Sequence, residues 1–168
     1  MSQLKYKIRQ SFIFGFLKSA KDKYQVMKWR SAGKPVPPPY FVKRNIIKEY
    51  AKKYNPPVFL ETGTAAGDTI AAVSHLFKKI YSIEINKYYF ENAKKRFADK
   101  KNIEIVIGDS GKLIYSLLKD KIKETTLFWL DGHYNSTEGL NSDEQICPIF
   151  AELDCVFNHP VKNHIILI

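Results

Sequence analysis

From Val58 onward, short apolar runs alternate with stretches whose apolar residues recur at helical spacing. Val58–Glu61, Ile80–Glu84, Ile103–Ile107, Leu127–Asp131 and His164–Ile168 have the length and apolar character of buried strands. Between them, Asp68–Phe77, Lys87–Phe97, Gly111–Lys119 and Asp143–Phe157 carry the 3.6-residue period of helices packed on a core. Strands that alternate with helices predict an α/β domain: a parallel sheet, right-handed crossovers, and helices on both faces.

The region before Val58 reads differently. Leu4, Ile8, Phe12, Phe16 and Tyr24 lie near a helical period among Lys and Arg, so Leu4–Met27 reads as a basic amphipathic helix. Gly33-Lys-Pro-Val-Pro-Pro-Pro39 stops it, because proline lacks a donor and pushes its predecessor toward extended geometry. Tyr40–Tyr54 resumes the helical spacing, and Asn55-Pro-Pro57 closes it. The chain is therefore expected to hold a basic arm and proline linker over 1–39 and an α/β domain over 40–168, preceded by these N-terminal helices.

Charge sharpens this division. The net charge is +10, yet the stretch to Pro57 holds 14 Lys and Arg against Asp22 and Glu49, whereas Val58 onward holds 13 basic and 15 acidic residues. A cationic arm of this kind suits three uses: packing its apolar face on the core, lying on an anionic membrane surface, or following nucleic-acid phosphates. At a membrane, each Lys or Arg would contribute roughly 1 kcal/mol.

With 168 residues and 45% hydrophobic content, the chain is long enough for a core of its own. Cys147 and Cys155, eight apart on one expected helix, would stand about 12 Å apart, beyond disulfide reach. No apolar run is long enough to span a membrane, and Phe12–Leu17 is short for a signal-peptide core. These features lead to the expectation of a cytoplasmic protein, peripheral at the inner membrane surface if the arm binds lipid.

The candidate chemistry sits at the strand ends. Glu61-Thr-Gly63-Thr64-Ala65-Ala-Gly67 puts an acid and a glycine turn between the first strand and its helix, where backbone can approach a ligand closely. The dinucleotide fingerprint would need glycine at 65 and 68, where Ala65 and Asp68 stand, so a pyrophosphate-binding turn is disfavoured. A nucleoside ligand without a diphosphate fits better. Glu84 and Asp109 end the next two strands; such carboxylates either accept from ribose hydroxyls and a base edge or cap the following helices.

This ordered set resembles the class I S-adenosylmethionine-dependent methyltransferases, with their Rossmann-like sheet and first motif of acidic-x-Gly-x-Gly-x-Gly, from which this sequence departs at Ala65. The resemblance implies S-adenosylmethionine as cofactor. Glu61, Gly63, Thr64, Ala65 and Gly67 would then flank its methionine part, Glu84 with Ile85 its ribose, and Asp109 with Ser110 its adenine. Leu127-Phe-Trp-Leu-Asp131-Gly-His133-Tyr-Asn-Ser-Thr137 further resembles the macrocin O-methyltransferase-like group, in some members of which the aspartate helps bind a magnesium ion. By that resemblance Asp131 is the metal ligand and a catalytic residue. His133 beside it is the candidate base toward a hydroxyl. His75, His159 and His164 are assigned no chemistry.

The implied reaction is methyl transfer to a hydroxyl of a small molecule or glycan intermediate, with the arm near anionic membrane. A non-catalytic or truncated nucleoside-binding module is the alternative. A nucleic-acid methyltransferase ranks behind, since Asp131-Gly-His-Tyr134 does not resemble the aromatic Pro-Pro-Tyr segments used on exocyclic amines. In the resembled group, the strand matching His164–Ile168 runs on into an Asp-Asp pair. Ending at Ile168 leads to the expectation of a fragment or a shortened protein, with an open sheet edge that could pair two chains in a homodimer.

Overall fold

The computed structural model describes residues 12–132 and 147–168, with side chains from residue 20 onward. The readings on Leu4, Ile8, His133 and the loop after it fall outside those residues. The chain divides into two compact units, Met1–Ile46 and Ile47–Ile168.

In the first unit, helix α1 (Phe12–Ser31) runs one turn beyond the expected end. Gly33 and Lys34 then take left-handed backbone, and the Trp29 indole N–H donates to the Pro35 carbonyl at 2.7 Å, folding the proline segment back on the helix end. Arg44, on the first half of α2 (Tyr40–Tyr54), lies 3.6 Å from Asp22. From Ile47, α2 belongs to the second unit.

That unit is the expected parallel sheet, in the order β3-β2-β1-β4-β5. Its strands are β1 (Val58–Thr62), β2 (Lys79–Glu84), β3 (Ile103–Ile107), β4 (Thr126–Leu130) and β5 (Ile165–Leu167), paired in register such as Glu61 with Trp129 and Glu84 with Ile107. β1 and β4 are buried along their whole length, as central strands covered on both faces must be. Alternation sorts their side chains. Leu60 and Phe128 join Ile114, Leu117 and Val156 of α5 (Ser110–Asp120) and α6 (Ile149–Phe157) on one face. Phe59 and Leu127 join Ile47, Ile70 and Phe97 on the other, the face of α2, α3 (Asp68–Val73) and α4 (Lys87–Arg96).

Two expected helices differ in detail. Asp68–Phe77 is α-helical only to Val73 and tightens into a 3-10 turn at Ser74–Leu76. Cys147 precedes α6 instead of lying in it, because Pro148 occupies the N-cap position, where its missing donor costs nothing; both cysteines are free thiols. None of the described helices is long and apolar enough to cross a membrane.

The amino-terminal edge of the sheet holds a feature that the sequence reading left without a role. The Thr126 N–H donates to Nδ1 of His164 at 3.1 Å. That ring therefore carries its proton on Nε2, donated over 2.8 Å to Nδ1 of His159, whose Nε2–H donates to the Leu118 carbonyl at 3.2 Å. The relay ties β4, β5 and the end of α5 together. Burial, helped by His159 and Lys162, lowers the His164 pKa to about 4. A histidine held neutral stabilises the fold fully above its unfolded value near 6.5 and loses that contribution as pH falls toward 4. Melting temperatures of the wild type and H164N should therefore differ most at pH 7 and converge toward pH 4.

Candidate active site

Neighbouring strands leave β1 in opposite directions, β2 and β3 on one side and β4 and β5 on the other, so a crevice opens beyond the carboxyl ends of β1 and β4. The glycine turn lies at that point. Gly63 (φ 87°), Ala65 (φ 45°) and Gly67 (φ 72°) all adopt left-handed backbone, and Gly67 N–H closes the turn on the Thr64 carbonyl at 2.8 Å. Position 65 thus takes the conformation that glycine favours, at a cost of roughly 1–2 kcal/mol for alanine. A β-carbon at Gly67 would stand 2.7 Å from the Phe97 ring, so that position requires glycine on space as well as on φ. Arg96 braces the same turn, donating to the Ala66 carbonyl and to Asp68.

Glu84 holds Ala65 in place. One carboxylate oxygen accepts from Ala65 N–H at 2.7 Å and the other from Asn86 N–H at 2.8 Å. Helix capping at α4 is done by Asn86, not Glu84, through bonds to Tyr88 and Tyr89 N–H. Glu84 therefore ties the end of β2 to the turn. Ile85, half-buried, follows it.

Glu61 is buried beneath the turn, 2% exposed. Ser82 Oγ donates to it at 3.1 Å and stands 2.6 Å from Thr64 Oγ1, so Thr64 belongs to the internal network. Burial pushes the Glu61 pKa up to about 8; the Ser82 and Thr69 hydroxyls oppose the shift, and the charges of Asp131 and Glu84 add to it. Three carboxyl groups thus converge about one turn. A cation there would relieve both burial and mutual repulsion.

On the β4 side, Asp131 and Gly132 pack directly against β1. A β-carbon on Gly63 would come within 3.1 Å of the Asp131 carbonyl oxygen, and one on Gly132 within 3.0 Å of Thr62 Oγ1, which accepts from Gly132 N–H at 3.2 Å. Asp109 caps α5 by accepting from Gly111 N–H at 2.9 Å, the alternative reading of that residue. Ser110 turns inward, nearly buried, toward Gly132. Sequence reasoning missed Glu152, buried on α6. Its signal was an acid standing three residues after Ile149 within the apolar stripe Ile149, Leu153, Val156.

The resemblance implies Asp131 as a magnesium ligand. Among the described residues, no group of three or more His, Cys, Asp or Glu side chains is arranged to hold an ion, so the residues described here do not by themselves fit magnesium. A concavity of about 490 Å³ lies elsewhere, at the amino ends of the strands among Tyr50, Tyr54, Thr125 and His164. It is separate from the acidic crevice and is not the candidate site.

No family model and no curated protein matches the chain. Solved structures do. The S-adenosylhomocysteine-bound methyltransferase PaMTH1 of Podospora anserina superposes with a TM-score of 0.54 at 13% identity, over 93% of this chain and 69% of that one. A putative caffeoyl-CoA O-methyltransferase from Staphylococcus aureus gives 0.47 at 14% identity, over 94% and 89%. The O-methyltransferase TomG of Streptomyces achromogenes, involved in tomaymycin synthesis and solved with S-adenosylmethionine, gives 0.47 at 15%, over 63% and 51%. This chain thus spans about half the length of TomG. The fold is a Rossmann-like α/β fold, shared with the methyltransferase PaMTH1.

Proposed function

We propose that this chain binds S-adenosylmethionine at the carboxyl ends of β1, β2 and β4 and transfers its methyl group to a hydroxyl of a small molecule or glycan intermediate. The observation that carries the reading is the convergence of Glu61, Glu84 and Asp131 about a strained glycine turn. Such a crevice repels a phosphate and attracts a sulfonium with an ammonium beside it. The helix after the turn is only six residues long and opens on Asp68, a further mismatch to a phosphate ligand.

In this reading, Glu61 and Gly63 to Gly67 enclose the methionine part. Glu84 and Ile85 meet the ribose, and Asp109 with Ser110 meets the adenine. The acceptor oxygen attacks the methyl carbon as the carbon–sulfur bond breaks, leaving a neutral thioether, and the hydroxyl proton passes to Asp131 or His133. Calorimetric titration with S-adenosylmethionine and S-adenosylhomocysteine tests the reading; saturable binding of both supports it, and absence of heat from both sinks it. Labelled methyl transfer to a panel of sugars and other hydroxyl acceptors then separates the enzyme from a non-catalytic module, which would bind without transfer.

The first unit supports a second role for the chain, contact with an anionic membrane surface. Lys23 and Arg30 flank a groove of about 280 Å³ with Val26, Met27 and Phe41, and Tyr24, Met27, Val36 and Tyr40 of the same unit are exposed. Apolar side chains among cations suit the headgroup boundary. Vesicles containing anionic lipid should sediment the full chain and lose it when both K23E and R30E are introduced; retention of that variant would count against the role.

A further inference from the structure

The last turn of α4 carries three cations, Lys94, Lys95 and Arg96. All three suit the negative end of the helix dipole, and Lys94 and Lys95 stand exposed there. Arg96 reaches further. Its Nη1 donates both to the Ala66 carbonyl and to Asp68 Oδ1, the latter at 2.7 Å, across 30 and 28 positions of chain. Both hydrogens of one planar nitrogen are thereby engaged, so direction is fixed as well as distance. The guanidinium carbon lies 5.4 Å from the centre of the Phe97 ring, the same ring that a β-carbon on Gly67 would strike. The glycine bend is therefore held from two elements: Glu84 of β2 takes Ala65 N–H at 2.7 Å, and Arg96 of α4 takes the carbonyl of the next residue and the side chain of Asp68. Left-handed backbone at Gly63, Ala65 and Gly67 persists only where its surroundings over-determine it. A plain link from strand to helix needs no such double hold, whereas a surface that must meet a ligand in one shape gains affinity from it.

We propose that Arg96 is a positioning residue of the crevice: from the α4 side it clamps Ala66 to Asp68, so that the bend keeps the shape that receives the methyl donor. This assignment rests on the donor-site reading above. The bonds are half-exposed, with the Arg96 side chain 36% and the Asp68 side chain 52% accessible, and ion pairs so placed contribute little to global stability. A clamp and a mere surface pair therefore predict different outcomes for R96M, which keeps an unbranched apolar stem beside Phe97 and removes both bonds.

The test is amide hydrogen exchange and titration of S-adenosylhomocysteine on wild type and R96M, with thermal melts beside them. The Gly67 amide, which closes the bend on the Thr64 carbonyl at 2.8 Å, should exchange about tenfold faster in R96M while the β1 amides stay within about twofold of wild type. R96M should also bind S-adenosylhomocysteine about tenfold more weakly and melt within about 2 °C of wild type. Unchanged affinity would overturn the proposal, and so would weaker binding with the Gly67 amide exchanging as before. Faster exchange across the whole sheet would mark a general loss of stability and be equally fatal. Should R96M fail to fold, R96K reads the same clamp, since its ammonium is a point charge without the planar pair of hydrogens; Gly67 exchange and affinity both equal to wild type would then overturn the role. Wild type that binds no S-adenosylhomocysteine removes the donor-site reading itself; wild type that binds, with R96M unchanged, removes only the role of Arg96.

Discussion

Glu84→Ala will weaken binding of S-adenosylhomocysteine by roughly a hundredfold to a thousandfold and lower the melting temperature together. The two effects share a cause. The carboxylate already accepts from Ala65 and Asn86 N–H, and in the proposed complex it is expected to accept from the ribose diol as well. Hydrogen bonds to a charged group contribute roughly 1.5–3 kcal/mol each, so losing a pair to the diol accounts for the affinity. Leaving Ala65 N–H without its acceptor costs about 1–3 kcal/mol more and loosens a residue held at a φ that alanine rarely takes. Glu84→Gln is the informative companion, since it keeps the shape but turns an amide donor toward one of the backbone donors. It should resemble the alanine variant, not the wild type. Affinity for S-adenosylhomocysteine that survives either change within about threefold would remove Glu84 from the binding site.

Replacing Glu61 by glutamine is expected to act in the opposite direction on stability. A carboxyl whose pKa is raised from 4.5 to about 8 contributes its full share below pH 4.5, and the fold loses that share steadily as pH rises to about 8. At pH 7 the penalty approaches about 3 kcal/mol, so E61Q should melt well above wild type at neutral pH and show no difference of this origin at pH 4. Binding reveals the other half of the linkage. A sulfonium and an ammonium near Glu61 favour its ionised form, so S-adenosylmethionine should displace a proton from the wild type. Calorimetric heats would then depend on the buffer's ionisation enthalpy, and affinity would rise with pH up to about 8. S-adenosylhomocysteine, without the sulfonium charge, should displace less, and E61Q should displace none through this group. Buffer-independent heats for the wild type would exclude Glu61 as the group that meets the cation.

The legible parts of this fold are those where a local signal and the global architecture agree. Ile103–Ile107 and Tyr40–Tyr54 match their expected bounds because a turn residue or a proline closes each apolar pattern. The turn at Gly63–Gly67 was legible because only a left-handed backbone requires glycine there, and Ala65 shows the same requirement through its φ despite the departure from the motif. Asp109 was ambiguous for a physical reason: a carboxylate after a strand serves a helix cap or a ligand equally well, and here the cap is formed. The His159–His164 relay was hidden because its significance arises from pairing across elements, Thr126 with His164 38 positions apart and His159 with Leu118 41 apart, which no local period encodes.

The close fit of Gly63 on the Asp131 carbonyl, and of Gly132 on Thr62, has a bearing on how such a crevice can change over time. The turn at 63–67 and the Asp131–Gly132 segment share one seam, where a β-carbon on either side would force its neighbour to give way. Variation in one half must be answered in the other, so substitutions at 62–67 and at 131–132 should be strongly epistatic. A programme of directed evolution toward new acceptors would therefore progress faster by randomising the two loops as one block than by altering either in turn.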